Sequence, residues 1–338
     1  MRKIRLSVLD QSQIRRGSNA REAILESSEL VRFADKLGYT RYWVSEHHNF
    51  EMVAGSTPEV LIAHLAGESE RIRVGSGGIM LPNHSALKMA ENFRMLETLF
   101  PGRIDLGIGR APGGDRYTAY LLNPSNTFSE KDFLQQLVDL RAFIRGDATP
   151  GTVHEKIKAI PVTDTAPEFW MLTSSGGSGR IAAHFGMALS FAHFINPIGG
   201  PEVLRQYREE FHPSDELNAP MTSVGIFVFC SEDQQKIREW QAEFDYRLLH
   251  IESGNTGPLP PREAIMNIEY SPEQMNRILF NRARCIAGTP PEVKKALVEL
   301  AEAYAVDEIV IATMAEEKAD RFRSYELLAE LFILPGQS

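Results

Sequence analysis

An apolar run, Tyr42-Trp43-Val44, gives way after Ser45 to an acid and two adjacent imidazoles, Glu46, His47 and His48. Such a segment reads as a buried strand whose tip carries chemistry. Adjacent residues on an extended segment point to opposite faces, so only one imidazole of the pair can face a site. Imidazole titrates near neutral pH and suits acid–base work. A metal centre built from this pair is disfavoured by the same geometry, and no Cys/His/Asp spacing elsewhere resembles a zinc pattern. The plain alternative is two ordinary hydrogen-bonded histidines.

Three further tips carry the right residue types for a ligand. Ser76-Gly77-Gly78 pairs glycines where the backbone must bend or a ligand must come close, or where the chain simply turns. Gly107-Ile108-Gly109-Arg110 offers space and a fixed cation suited to phosphate or a developing anion, with a surface ion pair as the alternative. Thr173-Ser174-Ser175-Gly176-Gly177-Ser178-Gly179 lies between a strand and a helix. Small and hydroxyl residues there expose backbone N–H groups at a helix N-terminus, a ready phosphate site; a flexible turn capped by Ser178 is the other reading. No Gly-Lys-Ser/Thr follows, so this is not a P-loop. Gly107 and Gly109 begin a Gly-x-Gly, but Pro112 breaks the dinucleotide fingerprint.

These tips need a scaffold that brings them together. Strand-like runs at 4–9, 41–45, 72–76, 104–109, 169–172, 188–192, 223–230 and 307–312 alternate with helix-like runs. Eight such units in one continuous chain predict an α/β fold, a closed (β/α)8 TIM barrel with its site at the C-terminal strand ends. Two insertions are expected, after strands four and seven. Residues 111–128 are polar with Gly and Pro, and 146–166 read as irregular with a short hairpin. Residues 253–272, rich in Gly and Pro, read as a mobile active-site loop within a single domain of residues 1–338.

Of the 338 residues, 43% are hydrophobic and 24% charged, as in an ordinary globular protein. A net charge of −9 argues against nucleic-acid and anionic-membrane partners. It leaves room for a small anionic cofactor in a nest of N–H groups. Cys230 and Cys285 read as core thiols, which points to a reducing cytoplasm. No apolar run reaches the ~20 residues of a membrane helix, and the opening Met-Arg-Lys-Ile-Arg has no signal-peptide character.

In order and spacing, the segments at 42–49, 74–84 (Val-Gly-Ser-Gly-Gly-Ile-Met-Leu-Pro-Asn-His), 101–112 (Pro-Gly-Arg-Ile-Asp-Leu-Gly-Ile-Gly-Arg-Ala-Pro) and 172–183 resemble the bacterial luciferase-like flavin monooxygenase family. Residues 286–290 and 307–309 are similar to it as well. The likeness runs from residue 4 to about residue 331 and favours the luciferase-like oxidoreductases over the light-emitting enzyme. It implies a TIM barrel, FMN used as FMNH2, and O2 as oxidant. By resemblance His47 is the catalytic histidine and Glu46 its acidic neighbour at the cofactor. Ser76 and a cis peptide at Gly77-Gly78 would lie under the flavin ring. Arg110, Ser175 and Ser178 would hold the phosphate, with Ser174, Gly176 and Gly177 alongside. Two positions depart from the light-emitting enzyme: Gly109 replaces a reactive cysteine and Ser174 replaces a glutamate. The resemblance further implies a small organic substrate, such as an aldehyde or ketone, and a homodimer. A separate NAD(P)H:flavin reductase is the implied source of FMNH2, since no second nucleotide motif is present. Two alternatives stay open: F420-dependent hydride transfer on the same fold, and a flavin-binding protein without turnover.

Overall fold

The computed structural model describes residues 3–334. The first half of the chain runs β1 (Arg5–Asp10), α1 (Ala20–Leu37), β2 (Arg41–Val44), α2 (Pro58–Gly67), β3 (Arg73–Met80), α3 (Ala86–Leu99), β4 (Ile104–Gly109), α4 (Arg116–Leu122) and α5 (Glu130–Arg145). The second half runs β5 (Glu168–Thr173), α6 (Gly176–Phe185), β6 (Ala188–Ala192), α7 (Gly200–Glu209), β7 (Thr222–Cys230), α8 (Gln234–Glu252), α9 (Arg262–Met266), α10 (Pro272–Arg282), β8 (Cys285–Gly288), α11 (Pro290–Tyr304), β9 (Glu308–Ala312) and α12 (Lys318–Phe332).

All pairings between these strands are parallel, in the order β6-β5-β4-β3-β2-β1-β9-β7, and a β6–β7 pairing closes the ring into an eight-stranded barrel. The ninth strand was not expected. β7 is long: β6 pairs with its residues 222–225, and the four-residue β8 pairs with 227–230. Local signals set the helix ends. Asn19 caps α1 by accepting from the N–H of Glu22, and Gly38 ends it at φ 84°, a left-handed geometry that glycine adopts without a Cβ clash. Leu30, Val31 and Ala34 bury one face of that helix against the barrel, at the spacing an amphipathic helix requires.

The insertions hold more structure than their composition suggested. Residues 111–128 contain α4, capped by Asp115, whose side chain accepts from the N–H groups of Tyr117 and Thr118. The expected hairpin within 146–166 is instead a 3₁₀ turn at Val153–Glu155. The segment 253–272 carries α9. Leu259 and Ile265 are buried, and Arg262 pairs with Glu239 and Glu243 of α8 at 3.0 Å each.

Two layers fill the barrel. Towards the strands' C-terminal ends, Leu9, Trp43, Trp170, Phe227 and Val310 form an aromatic and aliphatic cluster, with Trp43 and Trp170 edge to face at 5.2 Å. At the N-terminal ends sits a buried ionic plug. Arg41 Nη1 donates to Asp105 at 2.7 Å and to Glu168 at 2.9 Å, while Nε donates to Glu308 at 2.6 Å. Arg73 reaches the second oxygen of Asp105 at 2.7 Å, and Arg5 pairs with Glu308 at 3.2 Å. Three cations thus face three carboxylates. Removing either member of such a buried pair would strand the other charge. The plug also fixes the layer above it. Trp43 Nε1 donates to Asp105 at 2.8 Å and Trp170 Nε1 to Glu168 at 2.7 Å.

Candidate active site

A cavity of about 320 Å³ opens at the C-terminal ends of the strands. Its walls are mostly apolar, from Leu9, Trp43, Leu172, Phe194 and Val310, with Gly77, Met80 and Gly109 along one side. Its polar end is made by Arg110, Thr173, Ser174, Ser175 and Ser178. That is the usual make-up of a small-molecule site, a largely apolar pocket with a few convergent polar groups.

The polar end has spare binding capacity. Arg110 is exposed and makes no ion pair or hydrogen bond among the described residues. Its guanidinium lies over Gly177, where an added Cβ would be 3.7 Å from Nη1. Ser175 occupies the cap position of α6, yet its side chain makes no capping bond. The hydroxyls of Ser174, Ser175 and Ser178 likewise make no hydrogen bond among the described residues. Asn196 and Thr173 hold the loop from below, Asn196 by donating to Ser174 O at 3.0 Å and Thr173 by accepting from Ser175 N at 3.1 Å. An unpaired cation beside an uncapped helix N-terminus is a fit for an anion such as phosphate.

The acid and the two imidazoles have different fates. Glu46 is fully buried and accepts four donors: His48 Nε2 at 2.8 Å, His84 Nε2 at 2.9 Å, the backbone N–H of Met80 at 2.8 Å and Asn83 Nδ2 at 3.3 Å. Burial alone would raise its carboxyl, but the bonds from His48 and His84 outweigh that and hold it at about 2. Burial would lower His84 too, yet its bond to Glu46 and that charge leave it above its ordinary value. His47 behaves oppositely. Burial pushes it below its ordinary value, Glu46 offsets part of this, and His48 adds to the fall. Its Nδ1 lies 3.1 Å from Ser45 Oγ, while Nε2 has no partner among the described residues.

Of the residues singled out from the sequence, Gly77, Arg110, Ser174, Ser175 and Ser178 line the cavity. Glu46, His47, Ser76, Gly78, Gly176 and Gly177 do not. Glu46 is turned inward by its four donors. Ser76 stitches two strands, donating to Gly107 O at 2.9 Å and accepting from Gly107 N at 3.0 Å. Gly78 faces the barrel wall, where a Cβ would meet Leu172 Cδ1 at 2.6 Å and Gly107 O at 2.8 Å. The Gly77–Gly78 peptide is cis, at the register shift between β3 and β4. No residue of 253–272 lines the cavity in this conformation. Met80, Phe194 and Trp43 were missed as site residues, because an apolar side chain in a barrel strand or tip reads as core. His84 was within reach, as the end of a Pro-Asn-His segment two residues beyond a strand.

The chain belongs to the luciferase-like monooxygenase family, whose model matches residues 4–307. It is an oxidoreductase of that family. An uncharacterised protein of Bacillus subtilis strain 168, YwcH, is 44% identical over 97% of this chain and 99% of its own. The N-acetyl-S-alkylcysteine monooxygenase of the same organism is 34% identical over 97% and 98%. The crystal structure of apo-MsnO8 superposes with a TM-score of 0.90 at 34% identity, covering 98% of this chain and 99% of that one. More distant structures share the fold alone. They include the oxygenating constituent of 3,6-diketocamphane monooxygenase of Pseudomonas putida with FMN (TM-score 0.70, 18% identity, 97% of each chain). An F420-dependent secondary alcohol dehydrogenase with an F420–acetone adduct has a TM-score of 0.68 at 12% identity, over 96% and 98%. Among the described residues no cluster of three or more His, Cys, Asp or Glu could hold a metal ion, and no helix is long and apolar enough to cross a membrane.

Proposed function

We propose that this chain is an FMN-dependent monooxygenase that takes FMNH2 and O2 to a small organic substrate. One observation carries the reading: an apolar cavity ends on an unpaired Arg110 beside the uncapped first turn of α6. Arg110, Ser174, Ser175, Ser178 and the N–H groups at Gly176 and Gly177 would hold the phosphate. The apolar wall, with Gly77 beside it, would receive the flat ring system. Bound FMNH2 supplies the two electrons that activate O2. The apolar lining excludes water from the reacting centre. His47, lowered by burial, is neutral at pH 7, and its free Nε2 is the atom that would accept and return a proton. Residues 253–272 would close the mouth only by leaving their seat on α8. A separate NAD(P)H:flavin reductase supplies FMNH2 in this reading, and the protein works as a cytoplasmic homodimer.

The rival is F420 in the same cavity, supported by the fold shared with an F420 enzyme. Anaerobic titration with FMNH2 and with reduced F420 tests the choice. Tight FMNH2 binding that weakens by ~1.5–3 kcal/mol in Arg110→Ala, the scale of a charged hydrogen bond, is expected. Tight F420 binding with none of FMN would overturn the cofactor. Incorporation of ¹⁸O from ¹⁸O2 into product tests the monooxygenase step. The acetylated S-alkylcysteines named for the Bacillus relative are the first substrates to try.

A further inference from the structure

Three strand tips meet around one buried carboxylate. Glu46 follows β2. Two of its donors, Met80 N and His84 Nε2, belong to the end of β3 and the turn after it, and a third, His48, lies two residues further along its own segment. The tip of β4 is tied in at one remove. Asn83, which donates to Glu46, also donates to Pro112 O at 2.7 Å, and His48 N donates to Gly113 O at 3.2 Å. The loop is pressed close, since a Cβ at Gly113 would sit 3.1 Å from Glu46 O and 2.8 Å from Met80 Cγ. Each tip carries a group that the proposed chemistry uses: His47 after β2, outside the cavity lining, and Met80 at the end of β3 and Arg110 just after β4, both within it.

We propose that Glu46 is the positioning residue of this site, its carboxylate locking the tips of β2, β3 and β4 into the one arrangement that presents His47, Met80 and Arg110 together. It does not line the cavity, and meets it only through Met80, whose N–H it accepts. This replaces the expectation that it contacts cofactor. The side chain could not be a simple hydrogen-bond filler. Four donors converge on it, so an acceptor with two oxygens and a full negative charge is required. A glutamine in its place offers one oxygen and, even in its better orientation, turns an N–H2 towards Met80 N and His84 Nε2. Site geometry that depends on such a support loses function when the support slackens, though every ligand-touching group remains.

The proposal rests on Arg110 being a phosphate ligand, and the test separates the two. FMN dissociation constants are measured in the full-length parent, Glu46→Gln, Arg110→Ala and the double variant, with folding checked by circular dichroism. Glu46→Gln should weaken FMN about tenfold when Arg110 is present and about twofold or less in the Arg110→Ala background, the mark of two groups acting through one geometry. Equal losses in both backgrounds, or none, would overturn the positioning role. An Arg110→Ala variant that binds FMN like the parent would instead defeat the phosphate reading. Glu46 is then judged without FMN by NMR. In Glu46→Gln the Met80 methyl resonance should move and the His47 imidazole should titrate at lower pH, because the carboxylate that favours its charged form is gone. Unchanged Met80 and His47 signals reject the proposal outright. Should Glu46→Gln fail to fold, His84→Gln removes one imidazole donor and leaves the carboxylate. It should show the same dependence on Arg110 with a loss of about threefold.

Discussion

Gly107 and Gly109 lie two residues apart on β4, so a Cβ added at either would point to the same face. The neighbours they would strike differ. At Gly107 the new atom would lie 2.1 Å from Ser76 O and 3.1 Å from Ser76 C, which are sheet backbone. Ordinary contact needs more than 3 Å, so β3 and β4 would have to part by roughly 1 Å at a close-packed seam. Overpacking of this kind costs roughly 1–3 kcal/mol. The two bonds between Ser76 Oγ and Gly107 would stretch as well, at about 1 kcal/mol each. Gly107→Ala should therefore lose about 3–5 kcal/mol, a large part of a typical stability of roughly 5–15 kcal/mol. At Gly109 the new atom would meet Met80 Cε at 2.8 Å and Sδ at 2.9 Å, the far end of an unbranched side chain. Methionine can rotate away for about 1 kcal/mol. Met80 and Gly109 both line the cavity, so Gly109→Ala should cost little stability and shrink the ligand site instead. Urea unfolding followed by the emission of Trp43, Trp170 and Trp240, all buried, reports the first effect, and FMN titration the second. A Gly107→Ala midpoint equal to that of Gly109→Ala would refute the steric reasoning.

His47→Ala should bind FMN nearly as the parent does and lose product formation by ~10²-fold or more, the usual size of an acid–base contribution; equal turnover would remove His47 from the chemistry. Ser178→Ala, which deletes an unpartnered hydroxyl, should weaken FMN by about 1 kcal/mol and leave thermal stability unchanged; a stability loss without an affinity loss would make Ser178 a cap. The Glu46 carboxyl falls from 4.5 to about 2 on folding, so its contribution is full above pH 4.5 and is lost as pH falls through about 2. That contribution is on the order of 3 kcal/mol, and acid unfolding of Glu46→Gln should show a flatter limb below pH 4.5. An acid limb as steep as the parent's would assign it to other carboxylates.

The barrel was legible because each strand is a short apolar run bounded by turn residues and followed by an amphipathic helix. β8 was not. Its residues, half-buried from Cys285 to Ala287 and buried at Gly288, carry no alternation, and they are a strand only because β7 runs on past β6 and offers them an unpaired edge. α4 was hidden for a related reason: Tyr117 and Leu121 are exposed, so the helix shows no apolar stripe. Arg110 and the serines at 174, 175 and 178 could be found because charge and hydroxyls at a strand tip have few uses other than binding. Glu46 and Ser76 had the right types, but their destinations depend on partners tens of residues away. His84 and Gly107 become neighbours only when the strands pair. Met80 and Phe194 gave no signal at all, since a largely apolar cavity is lined by the same residue types as a core.

The ionic plug under Trp43 and Trp170 makes the barrel a vessel with one door. Arg41, Asp105 and Glu308 are almost wholly out of solvent and bonded to one another, so nothing passes between the strands from below. Whatever reaches Trp43 enters from the C-terminal ends of the strands, where Arg110 and the first turn of α6 form the polar end of the cavity, and leaves by that side. A cofactor anchored by its phosphate at that rim would stand in the doorway with its ring pointing inward. In that arrangement both ligands would share one route, and a large excess of one would delay the exit of the other.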